Sequence, residues 1–270
     1  MFKIINNGGF VRLFQKNSIL SINRLNRGIG YNGISKSILF YSTNNNNTST
    51  TSATNVYNPE NPILKHKPAI KLFSDEELHN ETKQKWYYKL MGIYSTNTKS
   101  LHASFQIYQT ISNQASNISF YKEFNLPINV RSWFVVTLLH VWMVLVRLRK
   151  DGEASKQLST DIYDRFWDDL GQKIVVGGIN QRFVGKYLKE FYNTYLGSVV
   201  SYDEALFDDS ILANSLWRNY FAMSEDVQPK DLLMMVKYIR YELNHLDKIQ
   251  NITTTGKLTF HDIKTVMDLK

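Results

Sequence analysis

Cysteine is absent from all 270 residues, which excludes a disulfide framework, a zinc ribbon, a thiol nucleophile and a thiolate-ligated iron–sulfur cluster. Any metal would need histidine and carboxylate ligands. Acid is absent from the N-terminal segment: Lys3, Arg12, Lys16, Arg24, Arg27 and Lys36 all precede the first carboxylate, Glu60. The net charge of +8 therefore sits mostly there, and residues 60–270 carry 26 basic against 24 acidic side chains. So even a balance gives the rest of the chain no DNA-binding footprint, and no DNA partner is expected.

Long apolar runs are missing as well. The longest, Trp133–Val146, has 14 residues and is flanked by Arg131 and by Arg147, Arg149 and Lys150. A membrane-spanning helix needs about 20 apolar residues, so no transmembrane span is expected and the run reads as the central helix of a bundle. No hydrolase elbow, P-loop or H-E-x-x-H occurs. Gly28, Gly30 and Gly33 spell G-x-G-x-x-G, but a basic stretch precedes them and no acid follows before Glu60 to take ribose hydroxyls, so the match is coincidental.

The acid-free segment has the composition of a mitochondrial transit peptide, with Phe10, Leu13, Phe14, Leu20 and Leu25 spaced around Arg12, Lys16 and Arg24. Residues 1–42 are read this way, with removal near Tyr41–Ser42 or just after Arg27; a surface amphipathic helix is the alternative. Asn44–Asn55 is a polar low-complexity run that buries too little to repay its ordering entropy. Pro59, Pro62 and Pro68 keep the chain extended, so residues 43–71 are expected to form a disordered linker, with order beginning around Leu72.

The whole chain is 43% hydrophobic and 13% aromatic, so residues 72–270 have the mass for a core, and their spacing is helical. Ser74–Glu77 is a capping box opening a helix to about Met91, with Leu78, Trp86, Tyr87 and Leu90 inward. Leu101–Ser116 carries Phe105, Tyr108 and Ile111 on one stripe, and Pro127 breaks the chain before the apolar run. Asp161–Leu170 follows with Ile162, Phe166, Trp167 and Leu170, then Gly177–Gly178. From Asn180, Phe183, Val184, Tyr187, Leu188, Phe191, Tyr192 and Tyr195 recur at helical spacing, and Gly197 stands where a C-cap belongs. Ser201–Glu204 reads as a second capping box, before a helix with Ile211, Leu212, Leu216, Trp217, Tyr220 and Phe221 that ends near Met223. Pro229 opens the last long helix, with Leu232, Val236, Ile239, Leu243, Leu246 and Ile249. Only Lys257–Phe260 hints at a strand. The expected fold is all-α, a single helical domain after the targeting segment and linker.

The order of these segments resembles the ubiquinol-cytochrome c chaperone family over roughly residues 86–245. The resemblance runs through Leu139–Arg149, Phe166–Leu170, Val184–Gly197, Ser201–Leu206 and Leu216–Asn219. Within them Leu139, His140, Trp142, Arg147, Phe166, Asp168, Asp169, Tyr192, Gly197, Tyr202, Arg218 and Asn219 are the family-motif positions. It implies a non-catalytic protein on the matrix side of the mitochondrial inner membrane; the short apolar run makes peripheral attachment the expectation, and incomplete metal-ligand sets make no cofactor expected. Such a protein acts as a heterodimer with a small partner assembly-factor subunit near the mitochondrial ribosome's tunnel exit, and holds newly made cytochrome b for complex III assembly.

Several residues invite a functional reading beside a structural one. His140, between Leu139 and Val141, has no second ligand at metal spacing and reads as a hydrogen-bonded core histidine. Arg147 and Arg149 are candidate partner contacts, with Asp161, Asp164, Asp168 and Asp169 as candidate intramolecular partners. Arg182, Lys186 and Lys189 form a basic stripe opposite the apolar face, a candidate ribosomal footprint or an ordinary solvated face. Most of Trp142, Trp167, Trp217 and the tyrosines are expected in the core. Glu76-x-x-His79 and Glu242-x-x-His245 have the spacing of helical di-iron sites, which leaves an alternative enzyme reading; a generic matrix adaptor is the third.

Overall fold

A computed structural model describes residues 57–68 and 96–268. Residues 1–42, with Gly28, Gly30 and Gly33, the expected helix Ser74–Met91 and the Glu76/His79 pair lie outside the described residues.

Apolar spacing becomes helix almost throughout. In chain order the α-helices are α1 Pro62–Lys65, α2 Thr96–Ala115, α3 Ser119–Glu123, α4 Val130–Arg149, α5 Lys156–Val176, α6 Val184–Glu204, α7 Asp209–Asn219, α8 Pro229–Lys248, α9 Ile252–Thr255 and α10 Ile263–Asp268. Two 3₁₀ turns, Gly152–Ser155 and Gln181–Phe183, lead into α5 and α6. The described residues contain no strand, Lys257–Phe260 included. The all-α expectation is met.

At the centre is α4. Asn129 starts it by accepting a hydrogen bond from the Ser132 N–H. Its side chains are apolar around nearly the whole circumference, so it must be enclosed on every side. It packs on α2, α5 and α8, and Trp133, Phe134, Leu139 and Trp142 are fully buried. Burying such large side chains stabilises by about 2–3 kcal/mol apiece. Helical geometry carries α4 beyond the 14-residue run to 20 residues, long enough to cross a membrane, but 83% of its apolar window is buried inside the protein.

Three expectations are corrected. Order begins before Leu72: Asn61 caps the single turn α1, whose Ile63 and Leu64 are buried against α4 and α5. The prolines restrict the flanks but do not prevent this turn, because Pro62 stands at its start where no N–H is needed. Gly197 is not a cap, and Ser201–Glu204 is not a capping box; α6 runs through both. Tyr195, Ser198, Val199 and Tyr202 form a continuous buried stripe across the glycine, and that packing outweighs its weak helix propensity. The next helix is instead capped by Asp208, whose carboxylate accepts from the Ser210 and Ile211 N–H groups. Finally, Trp217 and Phe183 are 37% and 45% exposed, not core.

Pro229 does open α8, and Gln228 and Asp231 form its capping box. Beyond α8 the chain folds back as a strap over α2, α3 and α8. Gly256 makes this crossing possible: its φ is +64°, and a Cβ there would stand 2.6 Å from the Ala103 Cα. Gln114 Nε2 donates to the His261 carbonyl at 2.6 Å, and Asn117 Nδ2 and Ser119 Oγ donate to the Asp262 carboxylate at 2.7 and 3.2 Å.

Candidate functional site

Four of the twelve family-motif positions, Leu139, His140, Trp142 and Arg147, lie on α4. His140, buried beside Leu139, has Nδ1 2.7 Å from the Val136 carbonyl, which can only accept, so Nδ1 carries the proton. Nε2 therefore accepts from the Tyr238 hydroxyl at 2.9 Å, and Tyr238 in turn accepts from Gln114 Nε2 at 3.1 Å. This chain joins α2, α4 and α8 in one polar thread. Burial pushes the His140 pKa down to about 4, partly opposed by the hydrogen bond to Val136. It is the hydrogen-bonded core histidine its setting implied.

Arg147 and Arg149 are paired within the molecule, but not with the α5 aspartates proposed from sequence. Arg147 reaches Asp151 at 2.9 Å and donates to the Leu246 and Ile249 carbonyls at 3.0 and 2.7 Å, closing the C-terminal end of α8. Arg149 grips both oxygens of Asp203 at 2.9 Å. The same carboxylate accepts from the Trp142 indole at 2.8 Å, and Trp142 packs on Tyr202 with centroids 5.3 Å apart. Two arginines two residues apart on α4 thus point at different neighbours, α8 and α6, as the helical angle between them requires. Asp203 was not singled out from sequence. Its spacing of four from Val199 marks it as a stripe residue once α6 is read through Gly197.

The α5 motif divides. Phe166 stacks on Phe134 at 5.5 Å within the core, while Asp168 is exposed and Asp169 buried. Asp169 accepts from the Tyr108 hydroxyl at 2.8 Å, and burial raises its pKa against the pull of Lys173. Lys173, invisible to the apolar pattern, is fully buried, and burial pushes its pKa down to about 8. It donates to the Ile63 and His66 carbonyls, the latter at 2.8 Å, and so ties α1 to the bundle. A groove of about 90 Å³ lies between α2 and α5, lined by Tyr108, Arg165, Asp168, Asp169 and Gln172. That is well under the roughly 300 Å³ at which small-molecule pockets begin.

Glu242, the carboxylate of the described i, i+3 pair, is fully buried and accepts from the His261 N–H at 2.8 Å, with His261 Nδ1 at 3.1 Å. His245 faces Thr259 Oγ1 at 3.2 Å. The pair therefore fastens the C-terminal strap to α8.

Tyr192 stacks on Tyr195 and packs against Trp167, Gly197 is exposed on α6, Arg218 is exposed on α7, and Asn219 is half-buried. Arg182, Lys186 and Lys189 are all exposed at the start of α6. Phe183 is exposed among them, and Tyr187 and Phe191 are half-buried, so the neighbouring apolar face is only partly covered. The Arg182 guanidinium lies 4.7 Å from the Phe183 ring centre and the Lys186 ammonium 6.0 Å from that of Tyr187. The motif residues thus divide into a buried polar framework and a small exposed set.

The profile of the family described as "Ubiquinol-cytochrome C chaperone" matches residues 122–257, from α3 into the C-terminal strap. Ubiquinol-cytochrome-c reductase complex assembly factor 1 of Xenopus laevis is 30% identical over 164 residues, covering 60% of this chain and 82% of the frog protein. Protein CBP3, mitochondrial, of Saccharomyces cerevisiae is 30% identical over 146 residues, covering 52% of this chain and 44% of the yeast one. Of the mouse and human assembly factors the chain spans about half the length, 55% and 54%. The crystal structure of the Cbp3 homolog from Brucella abortus superposes with a TM-score of 0.56 at 23% identity, covering 65% of this chain and 98% of the bacterial one, which shows a shared fold. With its profile match running from α3 into the C-terminal strap, and the frog relative covered over most of its length, this chain belongs to the ubiquinol-cytochrome c chaperone family.

Proposed function

We propose that the protein is a non-enzymatic assembly factor of mitochondrial respiratory complex III. Together with a small partner subunit it receives newly synthesised cytochrome b near the ribosomal tunnel exit, on the matrix side of the inner membrane. The observation that carries this reading is the family match across residues 122–257, with relatives named for ubiquinol-cytochrome c reductase assembly and, in yeast, for the mitochondrion. Residues 1–42 then serve as the import signal and the helical body as the working part. The commitment of His140, Asp203, Lys173 and Glu242 to contacts between helices supports a scaffold over a catalyst. Attachment is peripheral, because among the described residues the one helix both long and apolar enough to span a bilayer spends its apolar surface on the core. Carbonate extraction therefore releases the protein.

The test is affinity purification of the tagged protein from mitochondria after pulse-labelling of translation products. Cytochrome b and mitochondrial ribosomes are expected in the eluate. Recovery of neither would reject the proposal, and two irons per chain in the purified protein would favour the di-iron alternative.

A further inference from the structure

The turn between α5 and α6 combines features found together nowhere else among the described residues. Residues 171–189 contain Lys173, Arg182, Lys186 and Lys189 and no acid. The chain reverses through Gly178, whose φ of +93° lets its N–H donate to the Val175 carbonyl at 2.9 Å and the Ile179 N–H to the Ile174 carbonyl at 3.2 Å. At this tip Val175 and Val176 are each 38% exposed and Phe183 45%. Lys173 is turned inward, while Arg182, Lys186 and Lys189 are exposed. Elsewhere Phe207 stands next to Asp208 and Asp209, Leu233 near Asp231 and Met223 near Glu225 and Asp226, while Trp217 has the single cation Arg218 beside it.

We propose that this α5–α6 tip is the surface by which the protein docks on an anionic lipid bilayer, with Val175, Val176 and Phe183 entering the headgroup–acyl boundary and Arg182, Lys186 and Lys189 on the phosphates. Charge complementarity selects the occupant: three exposed cations draw the turn to a negative surface, and the bordering acids, Asp168 and Glu190, lie outside it. The aliphatic side chains select lipid over RNA. Cations and aromatic rings suit phosphate and stacked bases alike, but an exposed valine gains neither hydrogen bond nor stacking from a nucleic acid, whereas it gains by leaving water for the bilayer interface. Phe183 under the Arg182 guanidinium has the amphipathic character that suits this depth. The proposal deepens the peripheral attachment named above by giving it a surface, and it rests on that attachment only for the identity of the membrane.

The absence of cysteine makes the test direct, because a single introduced thiol can be labelled anywhere on the full chain. Val176→Cys at the tip and Asp226→Cys on the exposed loop before α8 each receive a polarity-sensitive fluorophore. The chains are mixed with vesicles of phosphatidylcholine alone, with vesicles of phosphatidylcholine and phosphatidylglycerol, or with single-stranded polyuridylate. A blue shift of the Val176 label on anionic vesicles only, with the Asp226 label unmoved, is the expected result. Changing Arg182, Lys186 and Lys189 together to Glu weakens the Val176 signal on the order of 100-fold, and Phe183→Ser with Val175→Ser weakens it at unchanged charge. All these side chains are exposed, so thermal melting is expected to stay at the parent value. A silent Val176 label on vesicles that nonetheless bind the chain would assign attachment to the acid-free N-terminal segment and overturn the proposal. A label that answers polyuridylate and ignores vesicles would make the tip an RNA contact and overturn it equally. Neither outcome touches cytochrome b recovery, which tests the assembly role separately.

Discussion

At the scale of single residues, the polar groups buried between helices are the sensitive points. His140 is neutral in the folded chain because burial holds its pKa near 4 against an ordinary 6.5. Unfolding below pH 6.5 therefore takes up a proton, so this contribution is complete above about pH 6.5 and declines as pH falls towards 4, by up to about 3 kcal/mol. Urea unfolding of the parent and of His140→Gln is expected to show a stability difference that shrinks across that interval; a constant difference would mean the ring is charged in place. Asp203 serves three donors with one carboxylate. Asp203→Ala strands the Trp142 indole and the Arg149 guanidinium, and is expected to cost about 2 kcal/mol in denaturant unfolding, the site being partly solvated. The His140 assignment was legible in the sequence, since an isolated histidine amid valine and leucine has few other uses. The arginine partners were not: the α5 aspartates are next along the chain, whereas Asp203 and the carbonyls at 246 and 249 become neighbours only when α6 and α8 pack on α4.

At the scale of helices, periodicity placed α2, α4 and α8 well because each has a wide apolar face, and found only the middle of α5, Asp161–Leu170 of Lys156–Val176. It failed at α6, where two local signals, Gly197 and the Ser201–Glu204 spacing, suggested a break that packing overrides. That difference is measurable. A Cβ at Gly197 meets nothing within 4 Å, so Gly197→Ala is expected to raise stability by about 0.5–1 kcal/mol, as in any exposed helix interior. A cap glycine would respond in the opposite sense. Gly256→Ala is the counterpart: positive φ and the 2.6 Å approach to Ala103 together make a loss of at least about 2 kcal/mol the expected result, read from the thermal melt. Lys173 and α1 were illegible for another reason. A lysine on an apolar stripe looks like a solvated interruption until a segment more than a hundred residues earlier supplies carbonyls to receive it.

At the scale of the whole molecule, a central apolar helix is enclosed by its neighbours and bound to them by His140, Arg147 and Trp142. Working residues are then sought on the outside, where Arg182, Lys186 and Lys189 stand with Phe183. The family was legible because several apolar helical segments in a fixed order are hard to assemble by chance, although none is diagnostic alone. Contact residues for a client were not legible, since an exposed aromatic and a core aromatic obey the same spacing; Phe183 and Trp217 became distinguishable only in the fold. The assembly role is tested most directly by pulse-labelling translation products in mitochondria that lack the protein and resolving the assembled complexes. Loss of labelled cytochrome b and of complex III, with complex IV translation products retained, is the result expected. Normal cytochrome b accumulation and normal complex III in those mitochondria would contradict it.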